Sequence, residues 1–255
     1  MSTNFFLEDK GYKIINFLKI NEISDLLVKI SHQINRSIKK NEFNKKNLKY
    51  FHKKNVSVID YSKIINPKNR KISLDINLLK KQIRNSKLLE LIKPYWGHSD
   101  VKVIWVGSAK KNQVEVNKAG FRIARPKVKS DAATEHIDSY SEDEKSFLTV
   151  WIPLIGFGKN YSLKFYPGTH KILHLKKNFE KKTKYISRVL KKNYYKKFNS
   201  IRPNLKAGQA IIFHPNLIHG GSKNNGSHTR ISIELRLFNK KKFNLKKTFD
   251  KKLVN

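Results

Sequence analysis

The sequence contains no cysteine, which excludes disulfides, thiolate metal sites and cysteine nucleophiles. Any metal must be held by nitrogen and oxygen donors. No stretch approaches the roughly 18 consecutive apolar residues of a membrane-spanning helix, so no membrane span is expected. The opening MSTNFFLEDKGYKII has no basic stretch leading into an apolar one, so no secretory signal is read and a cytoplasmic protein is expected. Acidic residues are few, 19 against 55 basic ones, giving a formal charge of +36. Arginine is scarce as well, nine against 46 lysines. A basic excess of this size ordinarily points to nucleic acid. Here the lysines are spread along the chain, and asparagine and isoleucine are abundant beside them, which is the mark of a general compositional bias. A solvated basic surface is the plainer reading, and a nucleic-acid partner is not expected. The positive field would still draw in an anionic small molecule.

What is present suffices for a sizeable core: 255 residues fit one large domain or two small ones. A short helical turn near Phe5 leads through Gly11 to a brief strand, Tyr12 to Ile15. Asn21 reads as an N-cap, and Ile23, Leu26, Leu27, Ile30, Ile34 and Ile38 then recur at helical spacing to about Asn41. Residues 41–72 read as an irregular basic loop able to lie over a site. A second helical region spans Leu74 to Tyr95, stopped by Pro94 and Gly97. From Asp100 the period changes to two: strands are expected at 101–108, 121–125, 147–154 and 161–166. Residues 172–203, rich in lysine and tyrosine, read as an insertion. The stretch from Leu205 to Phe238 reads as strand, turn, strand, the turn being Asn224-Asn225-Gly226. Helices followed by short strands predict an all-β sandwich or barrel with helices packed outside. No internal repeat and no clean linker is visible, so residues 1–255 are read as one domain. It comprises a helical part at about 1–97 and a β core at about 100–238, with the insertion at about 172–203.

His136 and Asp138 stand two apart, which on a strand places both side chains on one face. His219 ends the apolar run Ala210-Ile211-Ile212-Phe213 and precedes Gly220-Gly221, where backbone can approach a ligand closely. Two histidines and a carboxylate form the ligand set of a mononuclear non-haem iron site with open positions. A triplet of this kind also arises by chance as a surface pair, so context decides. Arg230 and Ser232 share a strand face opposite Ile231 and Ile233. An arginine with a hydroxyl two residues on can hold the distal carboxylate of 2-oxoglutarate through a forked ion pair. An exposed strand arginine is the other reading, and Arg236 is its nearest competitor. His214, five residues before His219, reads as structural, and His170 and His228 as solvated turn residues.

At these residues the chain resembles the phytanoyl-CoA dioxygenase-like family of Fe(II)/2-oxoglutarate-dependent oxygenases. Gly11-Tyr12-Lys13-Ile14-Ile15 followed by a helix is similar to the family's opening. His136-Ile137-Asp138 falls where its first two iron ligands belong. FLTVWIPL followed by SLKFYPGTHK resembles its central segment, with Thr169 in place of a serine. GQAIIFHPNLIHGGSKNNGSHTRISIELRL resembles its closing segment, with His219 as third ligand and Arg230 eleven residues on. The resemblance implies a double-stranded β-helix, that is, a cupin-like jelly roll, mainly β with flanking helices. It implies Fe(II), with 2-oxoglutarate and O2 as cosubstrates, and a small-molecule substrate that is oxidised as succinate and CO2 are released. The presence of Asp138 favours hydroxylation over halogenation, because related halogenases lack that carboxylate. The family's hydroxyl two residues after the third ligand is Gly221 here, with Ser222 one further; Ser232 or Thr149 is expected to take its place. Arg122 or Arg125 would bind an anionic substrate group if it faces inward, and an exposed strand edge is the other reading. Trp151 is either core or a platform for substrate. A nucleic-acid-directed oxygenase or binder, or a non-catalytic jelly-roll binding protein, stand as the alternatives.

Overall fold

Strands β1 (Tyr12–Asn16), β2 (Ser73–Asp75), β3 (Val101–Val106), β4 (Val114–Val116) and β5 (Lys118–Ala124) precede the metal-ligand triplet. They are followed by β6 (His136–Ile137), β7 (Phe147–Ile155), β8 (Lys164–Phe165) and β9 (Arg188–Val189). Three more, β10 (Gln209–Phe213), β11 (His219–Gly220) and β12 (Arg230–Asn239), close the fold. The helices are α1 (Phe6–Asp9), α2 (Ile20–Ile38), α3 (Lys80–Asn85), α4 (Leu88–Trp96) and α5 (Lys192–Tyr195). The computed structural model describes residues 6–54, 73–75, 77, 79–85, 87–106, 114–116, 118–138, 147–172, 174, 176–180, 188–220 and 222–242.

The strands form two antiparallel sheets. The large one runs β1-β10-β7-β12-β3-β4, and β5 pairs with the first half of β12 and carries β2 beside it. The small one runs β8-β11-β6-β9. This is the jelly roll that the resemblance implied, mainly β with helices at its back. Among the described residues no helix is long and apolar enough to cross a membrane.

Alternation along the strands sorts the side chains into layers. Val150, Ile152, Ile212, Ile231, Ile233 and Leu235 face the helices and join Leu26, Ile30 and Ile34 of α2 in one buried cluster. Each such side chain contributes roughly 1.5–3 kcal/mol by leaving water. Trp151, Ile211 and Phe213, on the other face, meet Phe165 and Leu217 between the sheets. The strand β7 is buried on both faces, which is why its sequence is apolar almost without a break.

Several expectations are corrected. The helix α2 begins at Ile20 rather than after Asn21: Lys19 is the N-cap, and its backbone N–H donates to Glu22 Oε2 at 2.8 Å. The helical region read from Leu74 to Tyr95 holds, among its described residues, a short strand and two helices. Pro94 does not stop α4, which continues to Trp96 and ends at Gly97, whose φ of 75° suits glycine. Proline near a C-terminus forfeits one helical hydrogen bond and leaves the rest intact. Residues 48–53, read as part of an irregular loop, form a 3-10 helix that buries Leu48 and Phe51; residues 55–72 lie outside the described set. The stretch 172–203 does not simply interrupt the sheet, since β9 pairs with β6 and extends it. The strands around Asn224-Asn225-Gly226 are not a hairpin. β11 belongs to the small sheet and β12 to the large one, so the chain crosses between layers there. A period of two is the same in either sheet and does not report the crossing.

Candidate metal centre and cosubstrate pocket

The small sheet sets the two imidazoles side by side. His219 is the direct partner of His136 in the β11–β6 ladder, and opposed residues project to the same face. The ring centroids lie 4.3 Å apart. Asp138 follows β6 and is fixed by its backbone N–H, which donates to Pro215 O at 2.8 Å. The donor atoms of His136, Asp138 and His219 all lie within 4.8 Å of one another, and all three residues are buried. His136 Nε2 is 3.6 Å from Asp138 Oδ1, and His219 Nε2 is 3.7 Å from Asp138 Oδ2.

The surroundings prepare these groups as ligands. His136 Nδ1–H donates to Thr134 O at 2.6 Å, and His219 Nδ1–H to Leu217 O at 3.0 Å. Carbonyl acceptors assign the proton to Nδ1 and leave the Nε2 lone pair toward Asp138. Burial, then the neighbouring His136, lowers the His219 pKa to about 4, so this imidazole is neutral at pH 7. Burial opposes ionisation of Asp138, but Arg236, then His219 and His136, outweigh it and hold its carboxyl well below the usual carboxylate range. Thr149 Oγ1 donates to Asp138 Oδ2 at 2.8 Å, and Arg236 Nη2 to Oδ1 at 3.2 Å. Two imidazoles presenting Nε2 and one ionised carboxylate fit a divalent, oxygen- and nitrogen-preferring metal.

Gly220 makes this packing possible. Its φ is +109°, and a Cβ there would meet Thr134 O at 2.7 Å and His136 Nδ1 at 2.9 Å. Gly220→Ala is therefore expected to displace His136 and weaken metal binding by about 10–100-fold, as loss of an outer partner does. Titration with cobalt(II), followed by its visible bands, measures this; circular dichroism confirms that the variant folds.

Beside the triad lies a cavity, partly open to solvent, lined by Arg122, Trp151, His136, His219, Ser222 and Arg230, among others. Arg230 is 3% exposed. Its Nη1 donates to Tyr161 O at 2.9 Å and Ser222 O at 3.5 Å, and its guanidinium lies 5.9 Å from the Trp151 ring centre. Among the described residues no carboxylate pairs with it. Burial, then Arg122 and Arg202, lowers its pKa to about 10, still charged at neutral pH. Ser232 Oγ, on the same face of β12, is buried and has no hydrogen-bond partner. A buried cation without an anion and an orphaned hydroxyl two residues away fit a bound carboxylate.

The remaining candidates divide. Arg122 lines the cavity, whereas Arg125 is tied to Asp131 by two bonds of 2.9 Å, so of these two arginines the cavity receives Arg122. Trp151 both lines the cavity and belongs to the inter-sheet core. The Thr149 hydroxyl is on Asp138 and not on the cavity wall. Arg236, the sequence competitor of Arg230, holds Asp138 and Glu234 instead. His214 stands apart from the triad; its ring accepts from Asn216 N at 3.1 Å. His170 is buried against Gly11 and His214 rather than solvated. Gly221 lies outside the described residues. Ser222, one further along, donates to Ser162 O and accepts from Arg202 Nη2 at 3.0 Å. Arg202 was missed: it sits in a lysine-rich stretch and carries no motif.

A jelly roll that gathers two imidazoles and one carboxylate at a cavity ending in a buried arginine defines the class of mononuclear metal-dependent oxygenases. The sequence profile of the phytanoyl-CoA dioxygenase (PhyH) family matches residues 31–232, and the chain belongs to that family. Comparison with curated proteins by sequence yields no match. Solved structures share the fold. The non-heme alpha ketoglutarate dependent carbocyclase SnoK from nogalamycin biosynthesis matches at TM-score 0.57 and 12% identity, over 94% of this chain and 84% of its own. The epimerase SnoN, in complex with Fe3+, alpha ketoglutarate and nogalamycin RO, matches at TM-score 0.53 and 12% identity, over 91% and 80%. AviO1 from Streptomyces viridochromogenes Tue57 matches at TM-score 0.52 and 12% identity, over 92% of each chain.

Proposed function

We propose that this protein is an Fe(II)- and 2-oxoglutarate-dependent dioxygenase that hydroxylates an unactivated C–H bond of a small polar metabolite or natural-product intermediate. The observation that carries this reading is the pairing, at one cavity, of the His136/Asp138/His219 donor set with the guanidinium of Arg230, which pairs with no carboxylate among the described residues. His136 and His219 would hold the metal through Nε2, and Asp138 through the lone pairs that Thr149 and Arg236 leave unused. Arg230 and Ser232 would seat the distal carboxylate of 2-oxoglutarate. Bound together, iron and 2-oxoglutarate supply the activation of dioxygen and the oxidation of a C–H bond, with release of succinate and CO2.

The chain's own residues do the rest. Trp151, Phe165 and Phe213 keep water from the buried side of His219, and a dry site strengthens every charge interaction within it. Arg236 and Thr149 hold the Asp138 carboxylate in one orientation. The carboxylate itself occupies the position that a halide would need, which supports hydroxylation. SnoN and SnoK are described as an epimerase and a carbocyclase, so the product must be determined directly. A cytoplasmic setting, where 2-oxoglutarate is at hand, fits this reading.

The test is aerobic incubation with ferrous iron and 2-oxoglutarate carrying a label at C1. Release of labelled CO2 with equal succinate is the expected result, and addition of one oxygen to a co-supplied substrate identifies hydroxylation by mass. No CO2 above the metal-free control would refute the assignment.

A further inference from the structure

Among the described residues, the charges around the cavity balance except at one. Four charged side chains of that set line it away from the triad: Arg122, Asp131, Arg230 and Glu234. Both oxygens of Asp131 are taken by Arg125. Glu234 Oε1 is 3.0 Å from Arg236 Nη2. A ferrous ion, the Asp138 carboxylate, doubly negative 2-oxoglutarate and the Arg230 guanidinium together sum to zero. Arg202 is outside the lining, held by the carbonyls of Asn160 and Ser162 and the hydroxyl of Ser222. Arg122 is left over. Among the described residues its side chain makes no ion pair or hydrogen bond, and its charge repels that of Arg230.

Its direction is imposed by the fold. Phe121 and Ile123 are buried in the helix-side core, so alternation sends Arg122 to the cavity side of β5. In the ladder it stands opposite Ser232, two positions from Arg230 on β12. Arg230 is almost wholly buried, whereas Arg122 is half-buried, so Arg122 stands nearer to solvent. A partly desolvated guanidinium facing a cavity whose two carboxylates are already held by Arg125 and Arg236 is an incomplete pair. Leu163 and Trp151 supply apolar wall beside it.

We propose that Arg122 is the specificity-determining residue that anchors an oxyanion on the substrate, so that the molecule oxidised is a small carboxylic acid or phosphate ester with an apolar body. This rests on the iron and 2-oxoglutarate reading, and it assigns the cation which that reading leaves unused among the described residues that line the cavity. Arg230 takes the cosubstrate's carboxylate, and Arg122 takes the substrate's. The fork of a guanidinium suits either oxyanion, and the spacing of a bound acid from Arg122 fixes which carbon faces the metal.

The experiment uses the full chain, loaded without oxygen with ferrous iron and 2-oxoglutarate, and read by the visible charge-transfer band of the chelate and by calorimetry. Phenylacetate, phenyl phosphate and phenylacetamide are the probes. One or both anions are expected to bind about tenfold or more tighter than the amide, the size of one charged hydrogen bond, and the tighter anion names the group. Arg122→Gln is expected to bring that preference below roughly threefold while 2-oxoglutarate affinity stays within about threefold. Arg122→Lys, which keeps the charge and the fold, is expected to retain a preference for the anion. The proposal is overturned if the wild-type protein shows no preference, or if Arg122→Gln keeps it. It is also overturned if Arg122→Gln weakens 2-oxoglutarate as severely as Arg230→Gln, which would make Arg122 a cosubstrate group. Failure of the band to form in the wild-type protein would refute the oxygenase reading itself and this proposal with it.

Discussion

Asp138→Ala is expected to lower ferrous iron affinity by at least about 100-fold, beyond what loss of an outer partner does, and to abolish 2-oxoglutarate turnover. Among the described residues this carboxylate is the one grouped with the two imidazoles, all three donor atoms lying within one ion's reach. An ionised carboxylate has about four lone-pair sites. Thr149 and Arg236 occupy one on each oxygen, and the others remain for a metal between His136 and His219. Alanine leaves a bare two-histidine site, too weak a donor set for a hard divalent ion. The same change removes the acceptor of a buried guanidinium, and breaking such a pair costs about 3–5 kcal/mol. Arg236 keeps its contact with Glu234 at 3.0 Å, which limits that loss, so the variant should fold. Thr149→Val separates the two effects: it keeps all three ligands and removes only the hydroxyl on Oδ2. It should weaken the metal by about 10-fold. Anaerobic competition with a chromogenic iron chelator, alongside denaturant unfolding of the metal-free proteins, measures both. Asp138→Ala binding iron as the wild-type protein does would remove the triad from the metal site.

How much of this site was legible in the sequence follows from the chemistry of its parts. His136, Asp138 and His219 could be read because few residue types bind a hard metal and the two-residue spacing has one meaning on a strand. Arg230 could be read because it follows His219 on a strand whose other face is apolar. Arg236 could not be assigned: it lies on the same face as Arg230, and what separates them is a contact with Asp138, 98 positions away in sequence. Thr149 was noticed for its hydroxyl but not for its acceptor, because Asp138 lies on another segment, placed by its backbone bond to Pro215 rather than by the period of β7. The choice between Arg122 and Arg125 turned on Asp131, whose partner depends on the path of the β5–β6 connection. In the fold, the long helix α2 and the apolar strand β7 were plain. The crossing from β11 to β12 was not, since burial in one sheet and burial in the other leave the same pattern of apolar residues.

Arg230→Gln is expected to weaken 2-oxoglutarate by about 100-fold or more while leaving iron affinity near wild type. Each hydrogen bond to a charged group contributes about 1.5–3 kcal/mol, and a forked pair makes two. Glutamine supplies one short amide without charge, and its reach from the β12 backbone is less. The lysine variant is the informative comparison. Arg230→Lys restores a cation but not the planar fork, and it cannot at once keep the bonds to Tyr161 O and Ser222 O and meet both carboxylate oxygens. It should recover only part of the affinity. The other end of the cosubstrate gives the counter-test. Pyruvate presents the same 2-oxo acid chelate without the distal carboxylate, so its affinity should be equal in the wild-type, Arg230→Gln and Arg230→Lys proteins. Anaerobic titration of the charge-transfer band with 2-oxoglutarate and with pyruvate reads these differences. If 2-oxoglutarate bound Arg230→Gln no worse than the wild-type protein does, the distal carboxylate would have to sit elsewhere. Arg122, opposite Ser232 on the neighbouring strand, would be the cation to examine next.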